Sequence, residues 1–163
     1  MSEPTLQTSI HTGIIRTLAG KKFNLFEPTP DMIDIRDISH GLANKGHFSG
    51  FTPHYFSIAE HSIMVCDEFS IWNNEQPDDV KLLALLHDAA EAYIGDMVKP
   101  LKVRMNDFIL VENRIQQAIC ERFNMDFTKI EMVKPADIYI QSIEYHTFYH
   151  GGLGPSPDRK SVV

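Results

Sequence analysis

Apolar residues recur at three- and four-residue spacing along much of this chain, and that spacing predicts helices. Between 104 and 123, Phe108, Val111, Ile115, Ile119 and Phe123 mark one face, while Glu112, Arg114, Gln117 and Glu121 hold polar positions. This helix reads as scaffold with no chemistry of its own. Ile58, Val65, Phe69 and Trp72 mark the buried face of another, opened by Ser57-Ile58-Ala59-Glu60, a capping-box pattern. A third opens near Pro77 and Asp78, carries the apolar run Leu82–Leu86 into His87 and Asp88, and ends at Gly95. Pro100 then keeps the chain non-helical for a short turn. A last long helix takes Pro135 into its first turn and runs to about Phe148 past Ile138, Ile140 and Ile143. Ile35, Ile38 and Leu42 predict a shorter helix that starts near Ile35.

The period changes towards the N-terminus. In residues 13–28 two short apolar runs flank Ala19-Gly20-Lys21, which predicts a β-hairpin, a small appendage to a helical body. The stretch GHFSGFTPHYF at 46–56 is a loop by its Gly, Ser and Pro content. Its aromatics and its histidines, His47 and His54, leave two readings open: a loop pinned to the core, or a rim that binds a base or sugar. Residues 1–11 form a polar start. The Gly/Pro/Ser-rich stretch 151–163 predicts a flexible tail. The expected architecture is all-α: one domain over 1–150, a bundle of five or six helices with a small N-terminal β-hairpin.

Composition narrows the function. A chain of 163 residues suits one domain with a substantial core, and 43% hydrophobic with 23% charged residues suits a soluble globular protein. No apolar run approaches the length of a membrane span, and the N-terminus lacks the basic start and apolar centre of a signal peptide. A cytoplasmic location is the default expectation. Cys66 and Cys120 sit in apolar helical patterns outside any CxxC motif and read as reduced core thiols. A net charge of −7 argues against a grip on long nucleic acid. It leaves room for a nucleotide, whose phosphate needs only a metal and a few local cations.

Candidate chemistry concentrates in LLALLHDAAEAYIGDMVKPLK at 82–102. An ionisable His87–Asp88 pair set into an apolar face is costly to bury unless something compensates it. Glu91, four residues on, shares a helical face with His87, and Asp96 falls at the helix exit. A bound cation would supply the compensation, taking a carboxylate and a neutral imidazole as ligands.

These residues resemble the signature of the HD-domain metal-dependent phosphohydrolases: an upstream histidine, a His-Asp pair and a downstream aspartate. The segments SIAEHS at 57–62, HDAAEA at 87–92, GD at 95–96, PLK at 100–102 and KPAD at 134–137 follow the order of the bacterial 5′-deoxynucleotidase branch. They are similar also to small phage and prophage-type HD hydrolases, and the likeness spans roughly residues 12–146. The resemblance implies His61, His87, Asp88 and Asp137 as ligands of one divalent ion, with Mn, Co, Fe, Ni, Zn and Mg all compatible with a mixed N/O set. By motif position it implies Glu91 orienting water or supporting a ligand, Asp96 passing a proton, and Lys102 contacting phosphate. His47 falls in the region that selects the nucleoside, where the family carries an arginine near the position of Gly46. The resemblance also implies a homodimer acting on a small-molecule nucleotide. The expected reaction is removal of phosphate from (deoxy)nucleoside 5′-monophosphates; the alternatives are hydrolysis of nucleoside triphosphates and a non-catalytic nucleotide-sensing module. Retention of all four ligand positions with Glu91 and Asp96 speaks against the last.

Overall fold

The helical spacing becomes helices in the structure, a computed structural model that describes residues 12–150; the polar start expected at 1–11 and the tail expected at 151–163 lie outside the described residues. The helices are α1 (Ile35–Ala43), α2 (Ile58–Trp72), α3 (Asp78–Leu85), α4 (Glu91–Ile94), α5 (Lys99–Lys102), α6 (Asn106–Arg122) and α7 (Lys134–Tyr149). Five of them run eight residues or more, and α4 and α5 are single turns. Ahead of them β1 (Ile14–Arg16) and β2 (Lys22–Asn24) pair antiparallel, with Ile15 opposite Phe23. Among the described residues the architecture is therefore mostly helical with one small hairpin. Among the described residues no helix is long and apolar enough to cross a membrane.

Helix α2 is central, packed against α1, α3 and α7. Its capping box forms as expected: the Ser57 hydroxyl accepts from the Glu60 N–H, and the Glu60 carboxylate accepts from the Ser57 N–H at 2.8 Å. Ile58, Val65 and Phe69 on its inner face are fully buried, each contributing about 1.5–3 kcal/mol by leaving water. Trp72, expected beside them, stays 37% exposed at the helix end, with its ring against Tyr139. The hairpin is more than an appendage. Phe23 is fully buried and stacks on Tyr93 of α4 at 3.9 Å between ring centres. Of the two cysteines expected in the core, Cys120 is buried and Cys66 only half-buried.

Two expectations fail. The helix expected to carry His87 and Asp88 stops at Leu85, and residues 86–90 form a succession of turns before α4 begins at Glu91. Pro100 does not keep the chain out of a helix; it occupies the first turn of α5. A first-turn N–H has no partner within its own helix, so proline loses nothing there. Gly95 does end α4, at φ 84°, a conformation that favours glycine. Gly41 lets α1 press onto α4: a Cβ there would lie 2.9 Å from the Ala92 Cβ.

Candidate metal centre

Three segments deliver side chains to one point. Helix α2 supplies His61 from its first turns, the 86–90 break supplies His87 and Asp88, and α7 supplies Asp137. His61 is fully buried. Its Nδ1 lies 2.8 Å from Glu144 Oε1, and His87 Nδ1 lies 2.8 Å from the Ala84 carbonyl. A carboxylate and a carbonyl only accept, so both Nδ1 atoms carry a hydrogen and donate it. In the neutral ring each Nε2 is then a bare lone pair.

Those two lone pairs meet two carboxylates in a closed ring. His61 Nε2 lies 3.1 Å from Asp137 Oδ1, and Asp137 Oδ1 lies 3.7 Å from His87 Nε2. His87 Nε2 lies 3.2 Å from Asp88 Oδ2, which lies 3.7 Å from His61 Nε2. Donors about 2.1 Å from a shared ion stand about 3.0–3.4 Å apart in octahedral or tetrahedral arrangements, so the ring is close to ion-sized. The His87 Nε2 is buried without a hydrogen-bond partner. Four acceptors facing one another require positive charge between them, from protons or from a metal. Without a metal, protons serve. Burial disfavours the His61 imidazolium, but the bonds to Asp137 and Glu144 outweigh it and hold its pKa at about 9. His87 is likewise raised against its own burial, chiefly by the Asp88 charge, and Asp137 is held far below the carboxylate range by both histidines despite burial. The donor chemistry suits a divalent ion, and the imidazoles sit at the back while the Asp88 and Asp137 side chains are 25% and 21% exposed at the mouth.

Helix α7 presents three polar residues on one face. Asp137 is a donor, Gln141 donates to Asp137 Oδ1 at 2.8 Å, and Glu144 takes the His61 Nδ1–H. Partners of this kind fix ring orientation and raise ligand basicity. Gln141 and Glu144 escaped the sequence analysis, although their spacing of four and seven from Asp137 is legible on a helix. A second set of donors, His47, His61 and Glu144, also lies close enough to hold an ion. The His61–Glu144 hydrogen bond engages one pair of these donors, while both His47 nitrogens and Glu144 Oε2 have no hydrogen-bond partner.

The remaining expected site residues gather around this point. His47 is buried, 6% exposed, not out on a rim. Its ring stacks on His61 at 4.3 Å, with Nε2 3.3 Å from Glu144 Oε2 and Nδ1 3.8 Å from Asp96 Oδ2. Phe48 and Ser49 follow with φ of 52° and 53°, and this left-handed turn aims the Ser49 N–H at Asp96 Oδ2, 3.1 Å away. The aromatics of the loop pin it to the end of α7: Phe56 and His54 pack on Phe148, and the Tyr149 hydroxyl donates to the Phe51 carbonyl. Phe51 and Tyr55 remain exposed.

Glu91 is 5% exposed with Oε2 unpartnered. Burial, then repulsion from Asp88 and Asp96, pushes its pKa up to about 10. Lys102 stands 3.9 Å from it and is tied to Glu112 at 2.7 Å. Lys45, two residues past the end of α1, donates to the Ala92 carbonyl one residue beyond Glu91. Helix α6 thus anchors Lys102 through Glu112, one of its polar positions.

No family model matches the chain. An uncharacterized protein of Rhodobacter capsulatus is 37% identical over 113 residues, 68% of this chain and 58% of that protein. The uncharacterized protein YfdR of Escherichia coli is 32% identical over 130 residues, 80% of this chain and 69% of YfdR. The chain thus spans a little over half of the first relative and about two thirds of the second. On that coverage and identity, the chain belongs to the family of YfdR.

Proposed function

We propose that the chain is a metal-dependent phosphohydrolase of the HD type, removing phosphate from (deoxy)nucleoside 5′-monophosphates in the cytoplasm, as a homodimer. The observation that carries the proposal is the closed ring of His61, Asp137, His87 and Asp88 atoms, with both Nδ1 hydrogens already committed elsewhere. These four residues would hold one divalent ion. When bound, such an ion polarises a phosphoryl oxygen and acidifies water.

The chain's own groups supply the rest. Glu91, buried 3.9 Å from Lys102, is the group to orient the attacking water or to support a ligand. Asp96, fixed by the Ser49 N–H, is the group placed to take or return a proton at the leaving oxygen. Lys102 is the nearby cation for the phosphate, steadied by Glu112. His47 lies beside Glu144 and Asp96, and the exposed Phe51 and Tyr55 offer aromatic surface for a nucleoside. The order of the HDAAEA, GD, PLK and KPAD segments supports the same chemistry. The monophosphate is the first choice of substrate, and the triphosphate is the alternative that the phosphate assay separates from it.

The test is metal analysis of the purified chain, followed by incubation of metal-stripped protein with Mn, Co, Ni, Zn or Mg and a panel of nucleoside mono-, di- and triphosphates. Orthophosphate from monophosphates, abolished by chelation, is expected. Pyrophosphate or triphosphate released from triphosphates would transfer the assignment to the polyphosphate reaction. A chain that binds no metal and releases phosphate from none of them is not a phosphohydrolase of this kind.

A further inference from the structure

His87 and Asp88 are neighbours in sequence, yet His87 Nε2 and Asp88 Oδ2 lie 3.2 Å apart. On a regular helix successive side chains point about 100° apart and do not face each other. The break at 86–90 is what brings them to one point. Across it the backbone tightens to three-residue bonds: Ala89 N–H to the Leu86 carbonyl at 3.1 Å, Glu91 N–H to Asp88 at 3.0 Å, Ala92 N–H to Ala89 at 3.2 Å.

A regular helix would also bond the Ala90 N–H to the Leu86 carbonyl. Here the side chain of Gln116, from α6, stands between them. The Ala90 N–H donates to Gln116 Oε1 at 3.1 Å, and Gln116 Nε2 donates to the Leu86 carbonyl at 2.7 Å. One amide substitutes for one helical hydrogen bond, using both its acceptor and its donor: the Ala90 N–H is not left bare in the core, and the Leu86 carbonyl accepts a second hydrogen bond beside that from Ala89. Gln116 is 4% exposed, flanked on α6 by the fully buried Ile115 and Ile119. It cannot swing away without burying an unpaired amide. Between its two anchor points lie only His87, Asp88 and Ala89.

We propose that Gln116 is the positioning residue of the metal centre: by holding Leu86 and Ala90 apart, it keeps His87 and Asp88 aimed at one ion. This rests on the ring of four donors being the ion site. Without Gln116 the Ala90 N–H can bond Leu86 directly, the helix closes through the gap, and the two ligand side chains diverge.

The experiment compares the wild type, Gln116→Leu, Gln116→Glu and, as a packing control, Ile119→Val. Each is stripped of metal and titrated with Mn2+ by electron paramagnetic resonance; visible spectra of the Co2+ forms and melting temperatures are recorded alongside. Gln116→Leu keeps the volume and loses both bonds. It is expected to weaken Mn2+ roughly 10–100-fold and to alter the Co2+ bands. Gln116→Glu keeps the acceptor for Ala90 but sets an oxygen against the Leu86 carbonyl, and an intermediate loss is expected. Ile119→Val should lower the melting temperature while leaving Mn2+ affinity within about twofold, since it removes packing alone. Wild-type affinity and spectrum in Gln116→Leu overturn the proposal, as does an equal loss in Ile119→Val. If Gln116→Leu does not fold, Gln116→Glu decides on the same criteria. A wild type that binds neither ion overturns the metal site and this inference together, whereas a binding wild type with unchanged variants overturns this inference alone.

Discussion

The residues of the candidate metal centre are mounted in two different ways. His61 and Asp137 sit on long, unbroken helices, α2 and α7, whose own hydrogen-bond ladders fix the backbone beneath them. His87 and Asp88 sit where the ladder is interrupted, in turns that an amide from another helix keeps open. The first kind of mounting is rigid but presents one side chain per face. The second lets two adjacent residues reach a single point, at the cost of dependence on a distant partner. A site that needs four donors in a ring combines both.

The comparison is tested most severely by Asp88→Ala. It removes a donor from the broken segment and leaves His61, His87 and Asp137 with two imidazoles and one carboxylate. Metal affinity is expected to fall beyond the roughly 10–100-fold that loss of an outer partner costs, and phosphate release to vanish. Isothermal titration with Mn2+ and an orthophosphate assay measure both. Full turnover in this variant would falsify the metal-centred chemistry.

Glu144→Gln probes the rigid side. The amide oxygen can still accept from His61 Nδ1, but the charge that raises ligand basicity is gone. About tenfold weaker metal binding is expected with the fold intact, a smaller effect than at Asp88. An unchanged affinity would mean that the helix alone, without the carboxylate behind the ring, orients His61.

A third expectation concerns protons in the metal-free chain. The pKa of His61 is raised to about 9 in the folded state against about 6.5 unfolded. A histidine raised in this sense stabilises the fold fully below about pH 6.5, and the contribution is lost as pH rises through about 9. Metal-free protein should therefore melt at lower temperature as pH climbs from 6.5 to 9. Metal affinity should rise over the same window, because the ion must displace that proton. A melting temperature flat across the window would place the positive charge of the empty ring elsewhere.

The same contrast explains how much could be read from the sequence. The α2 capping box, the face of α6, the start of α7 at Pro135 and the hairpin all depend on residues close together in the chain, and the structure has them. The break at 86–90 does not. Leu82–Leu86, Ala89, Ala90 and Ala92 are good helix formers without a glycine or interior proline, so local preference runs straight through it. What opens it is an amide 26 residues away from Ala90, on a helix whose polar positions read as solvent-facing. His47 is buried against His61 just ahead of the left-handed turn at Phe48 and Ser49, which no glycine announces. His61, His87, Asp88 and Asp137, which the resemblance implied as ligands, do come to one point, although His87 and Asp88 converge through a backbone that the spacing did not predict.

The smallest expected effect is the control that gives the others meaning. Ser57→Ala removes the hydroxyl that accepts from the Glu60 N–H at the start of α2, four residues before His61. Losing such a cap costs about 1 kcal/mol, a fall of about 2–4 °C in melting temperature for a chain of this size. His61 is held by its bond to Glu144 and by the packing of Ile58, Val65 and Phe69 on the same helix, so its Nε2 should not move. Mn2+ affinity is expected to stay within about twofold while stability drops. A tenfold loss of affinity would show that a self-supporting helix transmits small local damage to its donor as readily as the broken turn does. The distinction between the two mountings would then be one of appearance, and stability alone would govern the whole ring.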